Sequence, residues 1–210
     1  MTDRTANRDD LSPLTTALLG AAAGAFGVWA LDRLDWWMWR NEDSRATAET
    51  VAARPNGEPP AETLVTRASR TAGIRLSPES HELASQLVHY SIGIAPAVAY
   101  ALFRDRLPGQ GASRGALFGL GLFGAQDEVL NTVTSLGAKP QNYPWQAHAR
   151  GLLAHTLYGI ATELALNAAE RALEPRDDLS GGSGRLAESV TRVEARRREA
   201  TVREREAQTI

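Results

Sequence analysis

Apolar and polar residues are segregated along this chain into long blocks. No charged residue falls between Leu14 and Leu31, a run of 18 positions. A second block, Leu83 to Phe103, spans 21 residues with no Asp, Glu, Lys or Arg and one imidazole, His89. A third, Gly115 to Ala138, is interrupted only by Asp127 and Glu128, and a fourth, Gly151 to Ala169, only by His155 and Glu163. Each is close to the roughly 20 residues that carry a helix across a bilayer core. Ala, Leu and Gly fill the blocks rather than alternating β-branched residues, so the pattern predicts helices. Ser12-Pro13 and Ser77-Pro78 are helix starts, a capping hydroxyl followed by Pro at the first helical position. Pro108-Gly109, Lys139-Pro140, Tyr143-Pro144 and Glu174-Pro175 break the chain between and after the blocks.

The expected fold is therefore all-α, an integral membrane bundle of about four transmembrane helices. Residues 1–11 form an N-terminal tail, 12–173 the membrane domain and 174–210 a charged tail. The spans fall near 13–39, 78–106, 112–137 and 145–173. The polar segment Asn41 to Leu76 follows the first span. Ala61, Leu64, Val65 and Ala68 recur there at helical spacing, which predicts one short amphipathic helix on the membrane or on the protein. Gly181-Gly182-Ser183-Gly184 makes a flexible joint. From Arg185 to Glu206 there are seven Arg and five Glu, and the Leu186, Val190, Val193 seam is broken by Arg197. A solvated helix or disorder is expected there rather than a coiled coil.

A soluble four-helix bundle needs a polar face on each helix, and these blocks lack one. Gly20 and Gly24, and again Gly115 and Gly119, carry the small-xxx-small spacing that lets membrane helices approach closely. Trp29, Trp36, Trp37 and Trp39 cluster at the end of the first block, with Tyr143 and Trp145 before the fourth, as at a lipid–water boundary. A cleaved signal peptide is the other reading of the first block, since Arg4 and Arg8 precede it and Ala23-Gly24-Ala25 offers a cleavage pattern. The block is long and continues into Trp-rich sequence, which favours an uncleaved span. Arg104, Arg106 and Arg114 outnumber Lys139 across the later connections and put both termini in the cytoplasm. Arg33, Arg40 and Arg45 argue the other way.

Composition narrows the chemistry. The 210 residues carry 23 basic and 25 acidic side chains, four His and no Cys. A net charge of −2 gives no global attraction to nucleic acid or anionic lipid. The absence of Cys excludes disulfides, thiolate metal sites and cysteine nucleophiles. Of the basic residues 22 are Arg and one is Lys.

Charges at membrane depth are costly and call for partners. Counting about 1.5 Å per residue puts His89, Asp127 and His155 in one layer, roughly 10–15 Å below one surface. Glu128 adjoins Asp127. Glu163 lies two turns beyond His155 on nearly the same face, and His148 and Arg150 sit at the rim. One reading is a satisfied polar core of His–carboxylate bonds that fixes helix register. Another is a proton-linked switch, because imidazoles titrate near neutral pH. A metal site fits less well, since no Glu-x-x-His pair is present. Gly119-Leu120-Gly121-Leu122-Phe123-Gly124 spells a dinucleotide fingerprint but lies inside an apolar helical run, where helix packing explains it. There is no phosphate-binding loop, nucleophile elbow or basic–aromatic pattern. No catalytic residue, metal, cofactor or nucleic-acid partner is expected.

Joint spacing then suggests a family. His89 is followed eleven positions on by Tyr100, then Pro108, then Gly115 and Gly119. Pro144-Trp145 comes next, with His155 ten positions later and Glu163 eight after that. Over roughly His89 to Glu163 the chain resembles the YagU family of bacterial inner-membrane proteins. It departs at Asp127, where the relative has His. The resemblance implies a multi-span protein of the bacterial inner (plasma) membrane with a proposed part in acid resistance, and it supplies no reaction. The expected function is thus acid tolerance through the His/carboxylate layer, with proton or small-ion transport and a membrane scaffold as alternatives. The expected partners are the lipid bilayer and a second copy or a larger membrane complex.

Overall fold

Ser12 and Ser77 open the first two long helices. Each hydroxyl accepts a backbone N–H from three residues on, Thr15 at 3.1 Å and Ser80 at 3.2 Å, with Pro in the first turn. In this computed structural model, which describes residues 11–173, α1 is Pro13–Asn41 and α4 is Pro78–Phe103. The expectations for residues 1–10 and 174–210 lie outside the described residues. No strand occurs among the described residues, and everything described up to Ala172 belongs to one compact unit.

The polar segment after α1 forms two helices, α2 (Ser44–Ala53) and α3 (Pro60–Ala72), where the sequence pattern predicts only the second. Asp43 caps α2 by accepting from Arg45 N at 2.8 Å. Gly73, at φ 68°, ends α3, where Gly73 N and Ile74 N donate back to Arg70 O and Ser69 O. That pairing is a Schellman stop, and it needs the left-handed residue glycine supplies. α3 packs against α4, with the Thr66 hydroxyl 2.9 Å from His81 Nε2; Thr63 and Val65 of α3 are buried, while Leu64 of the expected apolar stripe is exposed.

The third rod differs from the uniform helix expected over 112–137. α5 (Ala112–Phe123) runs into a π-helical segment, Gly124–Leu130, and then into a single turn, α6 (Asn131–Val133). The rod stops there because Ser135 turns left-handed at φ 56°. Arg67 of α3 donates to the freed carbonyls of Thr134, at 3.0 Å, and of Ser135. The fourth rod, α7, is Trp145–Leu173.

Pro96 lies inside α4 and can give no N–H to the carbonyl of Ile92. Gln126 of the π segment supplies that donor, its Nε2 lying 3.2 Å from Ile92 O. One residue on, Tyr158 of α7 donates its hydroxyl to Gly93 O at 2.6 Å. Gln126 thus repairs the break at Ile92, and Tyr158 adds a second bond to the α4 backbone beside it.

Small residues set the rod spacing. A Cβ on Gly20 would lie 2.8 Å from Ala101 Cβ, and one on Gly24 2.5 Å from Ala97 Cβ, which fixes α1 on α4. A Cβ on Gly119 would sit 2.0 Å from His155 O, and one on Gly115 2.5 Å from Gly159 O, so α5 and α7 meet backbone to backbone. Gly121 and Gly124, the remaining glycines of the dinucleotide-like string, face open space. At mid-length Phe118 stacks on Tyr100 (centroids 4.1 Å apart) and leans on Tyr158 (5.7 Å), enclosed by Val28, Ala97 and Leu122.

The distribution of side chains is inside-out. The buried set is rich in Ala23, Ala97, Ala101, Ala154 and Ala161, and includes Arg104, Arg150, Thr162 and Glu163. Outside, Leu14, Leu18, Leu83, Leu87, Leu117, Leu153 and Leu164 are each at least half exposed. Two helices, Pro13–Asn41 and Pro78–Arg106, are long and apolar enough to cross a membrane. α5 is short on its own, and α7 carries Arg150, Glu163, Glu170 and Arg171 along its length.

Candidate functional site

The ionisable groups read from the sequence as one polar core fall into two clusters, with Glu163 apart from the histidines. The first lies where α2 and α3 cap the bundle. There the π segment presents Asp127 and Glu128, consecutive residues, to one face of α7. The lower twist per residue of a π turn and the extra residue it holds allow this, and such turns are frequent at functional sites. Glu128 Oε1 lies 2.7 Å from His148 Nδ1, and Asp127 Oδ2 lies 3.6 Å from His155 Nδ1. His148 and His155 are a heptad apart, so both look the same way.

His148 has a further partner. Its Nε2 lies 3.0 Å from the carbonyl oxygen of Pro140. Both ring nitrogens therefore face oxygen acceptors. A neutral imidazole has one N–H and one lone pair, and an ionised carboxylate has no proton to give. The arrangement is fully bonded only when the pair holds one proton more than neutral imidazole and carboxylate together carry.

His89 does not join this pair of contacts. Its Nε2 lies 2.9 Å from Asp32 Oδ1 of α1, a carboxylate the sequence reading did not single out. Arg150, expected at the rim, is 7% exposed and anchors the cap. Its Nε donates to Asp35 at 3.0 Å, its Nη1 pairs with Glu42, and its guanidinium lies over Trp39 at 4.7 Å. Arg54, at the end of α2, lies over the same ring at 5.4 Å. Burial, and then the nearby Arg150, lower its pKa from the ordinary guanidinium range. A cavity of about 160 Å³ lies among these groups, lined by Asp35, Arg54, Asp127, Glu128, His148 and Arg150 among others. His81 also lies at this end, its Nε2 2.9 Å from the Thr66 hydroxyl. All four histidines thus occupy one half of the bundle.

Glu163 belongs to the second cluster, which contains no histidine. The Tyr100 hydroxyl donates to its Oε2 at 2.8 Å, and Arg104 Nη1 donates to the same oxygen at 2.7 Å. Asn167 Nδ2 donates to Oε1 at 3.2 Å, and Arg114 lies 3.9 Å away. Arg104 also bonds Asn167 and Glu170. Arg104 and Glu163 are each 1% exposed. The expectation that Glu163 exchanges partners with histidine is corrected by this geometry: guanidinium, phenol and amide donors surround it.

Four residues that sequence reasoning missed complete the first cluster: Asp32, Asp35, Glu42 and Arg54. The first two sit at i and i+3 directly after the uncharged block, a spacing that puts both carboxylates on one helix face. That spacing was the available signal. Among the described residues no group of three His, Asp or Glu side chains is poised to hold a metal ion. Compared with known proteins, the chain matches no family model, no curated protein and no solved structure.

Proposed function

We propose that this chain is a four-span helical protein of the bacterial inner membrane, YagU-like, that serves acid tolerance by taking up protons at its capped end. The observation that carries the reading is His148, held between the Glu128 carboxylate and the Pro140 carbonyl. That seat is fully bonded only in its protonated state. Two further histidines, His89 and His155, face Asp32 and Asp127 in the same half of the molecule.

An imidazole in water titrates at about pH 6.5. Protonation of a histidine turns its carboxylate contact from a negative pair into a neutral ion pair. His148 then ties α7 to the π segment and to the loop at Pro140, and His89 ties α4 to α1. Protonation therefore tightens the end on which α2 and α3 sit, a local charge change coupled to packing.

Membrane placement of all four rods is supported by the leucines on the outside and the alanines, glycines and charges within. The proposed orientation keeps both termini in the cytoplasm. Of the three arginines behind it, Arg104 turns inward to Glu163, and Arg114 lies near Glu163 and Asp105.

The test is survival at low pH in a strain whose own copy is replaced by His89→Gln/His148→Gln. Survival should fall to that of a deletion strain while membrane levels of the protein stay normal. Wild-type survival at normal protein levels refutes the acid-tolerance reading.

A further inference from the structure

A second cavity, about 780 Å³, opens between α1, α3 and α4 at the capped end. Its volume lies within the range of small-molecule sites. The charges on its wall divide into committed and uncommitted groups. Asp32 is engaged by His89 and Asp35 by Arg150. Arg33, Arg54, Glu62 and Glu82 line the same cavity, and none forms an ion pair with any other described residue. Glu62 lies within electrostatic reach of Arg54, yet the two stay apart.

A buried hydroxyl points to a missing partner. Ser85 is 7% exposed and lines the cavity, and its Oγ has no hydrogen-bond partner. Leaving such a group unsatisfied is destabilising, so a ligand that bonds it gains by doing so. Trp36 and Trp39 are on the wall as well, and Trp36 is half exposed beside exposed Trp37. Indole rings collect at the headgroup level of a bilayer.

Two guanidinium groups and two carboxylates surround one space, none of them in an ion pair with another described residue, and Arg54 lies over the Trp39 ring. A simple anion leaves the carboxylates unmatched, and a simple cation leaves the guanidiniums unmatched. A zwitterion matches both. Guanidinium forks fit phosphate oxygens in pairs, and a primary ammonium has three donors for carboxylate and hydroxyl oxygens. We propose that this cavity binds a phosphate ester bearing a primary ammonium, the phosphoethanolamine group, with Arg33 and Arg54 on the phosphate and Glu62 and Glu82 on the ammonium. The Ser85 hydroxyl completes the seat. The group has two sources, a phospholipid headgroup and the free ester.

The experiment uses the full chain purified in detergent. In one arm free O-phosphoethanolamine is titrated while tryptophan fluorescence is followed. In the other the protein is reconstituted with equal amounts of phosphatidylethanolamine, phosphatidylcholine and phosphatidylglycerol, and retained lipid is read by native mass spectrometry. Saturable binding of the free ester, selective retention of phosphatidylethanolamine, or both, support the site and name its source. Arg54→Gln and Glu62→Gln should each weaken binding roughly tenfold or more, the scale of one charged hydrogen bond. Glu62 is half-exposed, so its variant reports on binding even where Arg54→Gln fails to fold. No binding in either arm overturns the proposal, and so does equal retention of all three lipids or wild-type binding by a folded Glu62→Gln protein. The free-ester arm is independent of the bilayer placement and of the acid-tolerance reading, so their failures stay distinguishable.

Discussion

A single methyl group separates two kinds of glycine in this chain. At Gly119 a Cβ would meet the His155 carbonyl, which is backbone and cannot swing aside. Gly119→Ala must therefore push α5 off α7, and overpacking of this sort costs roughly 1–3 kcal/mol. At Gly121 a Cβ meets nothing within 4 Å. Gly121→Ala should be neutral or stabilising by up to about 1 kcal/mol, the difference in helix propensity. Unfolding of the two variants in detergent against denaturant checks the contrast, and equal destabilisation would refute it. The spacing of Gly115 and Gly119 was legible in the sequence, but the partner, the Gly159 to His155 stretch of α7, was not. A pattern along one helix names a close face without naming what lies against it. The histidines show the same limit. The level of Asp127 with His155, and the heptad from His148 to His155, were read from simple spacing along each helix, with His148 set at the rim. The Asp32 partner of His89 was not, because it lies 57 positions away on another rod.

Among the elements, α4 is the one that depends most on its neighbours. Its ladder is broken at Pro96, and the orphaned Ile92 carbonyl is met by Gln126 from the π segment. This gives a coupling that a merely peripheral contact would lack. Gln126→Leu should destabilise the protein by about 1 kcal/mol, the net worth of one hydrogen bond, because it removes the donor that meets the Ile92 carbonyl. In a Pro96→Ala background residue 96 regains its N–H, and the same Gln126→Leu change should cost little. A double-mutant cycle measured by unfolding reads the difference, and strict additivity of the two changes would remove the claim. The helices themselves were legible from block length, Ser-Pro starts and Pro-Gly breaks. The π turn was not, because seven residues of Gly, Ala, Gln, Asp, Glu, Val and Leu carry no local signal for an extra residue per turn. Through it Gln126 reaches α4 while Asp127 and Glu128 reach α7. The second short helix, α2, was missed for a related reason. SRATAETVAA has little apolar periodicity and is held by its Asp43 cap and by buried Ala46 and Thr50.

For the molecule as a whole, the all-helical architecture was legible, as was the candidacy of the first two blocks as membrane spans. The vertical arrangement of charges was less so. Helical spacing put Glu163 two turns beyond His155 on nearly the same face and so in one polar core with the histidines, whereas its guanidinium and phenol partners hold it towards the opposite end. The inside-out surface leads to a direct expectation about the whole chain. Washing membranes at high pH and high salt, which strips peripheral proteins, should leave it in the pellet, and detergent should release it. Recovery in the supernatant after ultracentrifugation without detergent would refute the bilayer placement.

The stack of Tyr100, Phe118 and Tyr158 bears on the same scale. It lies between the end that carries the histidines and the end built on Glu163, into which Tyr100 donates. Under the proposed bilayer placement these rings would stand between the histidines and the far surface, so that protons taken up at one end would not be handed on to the other.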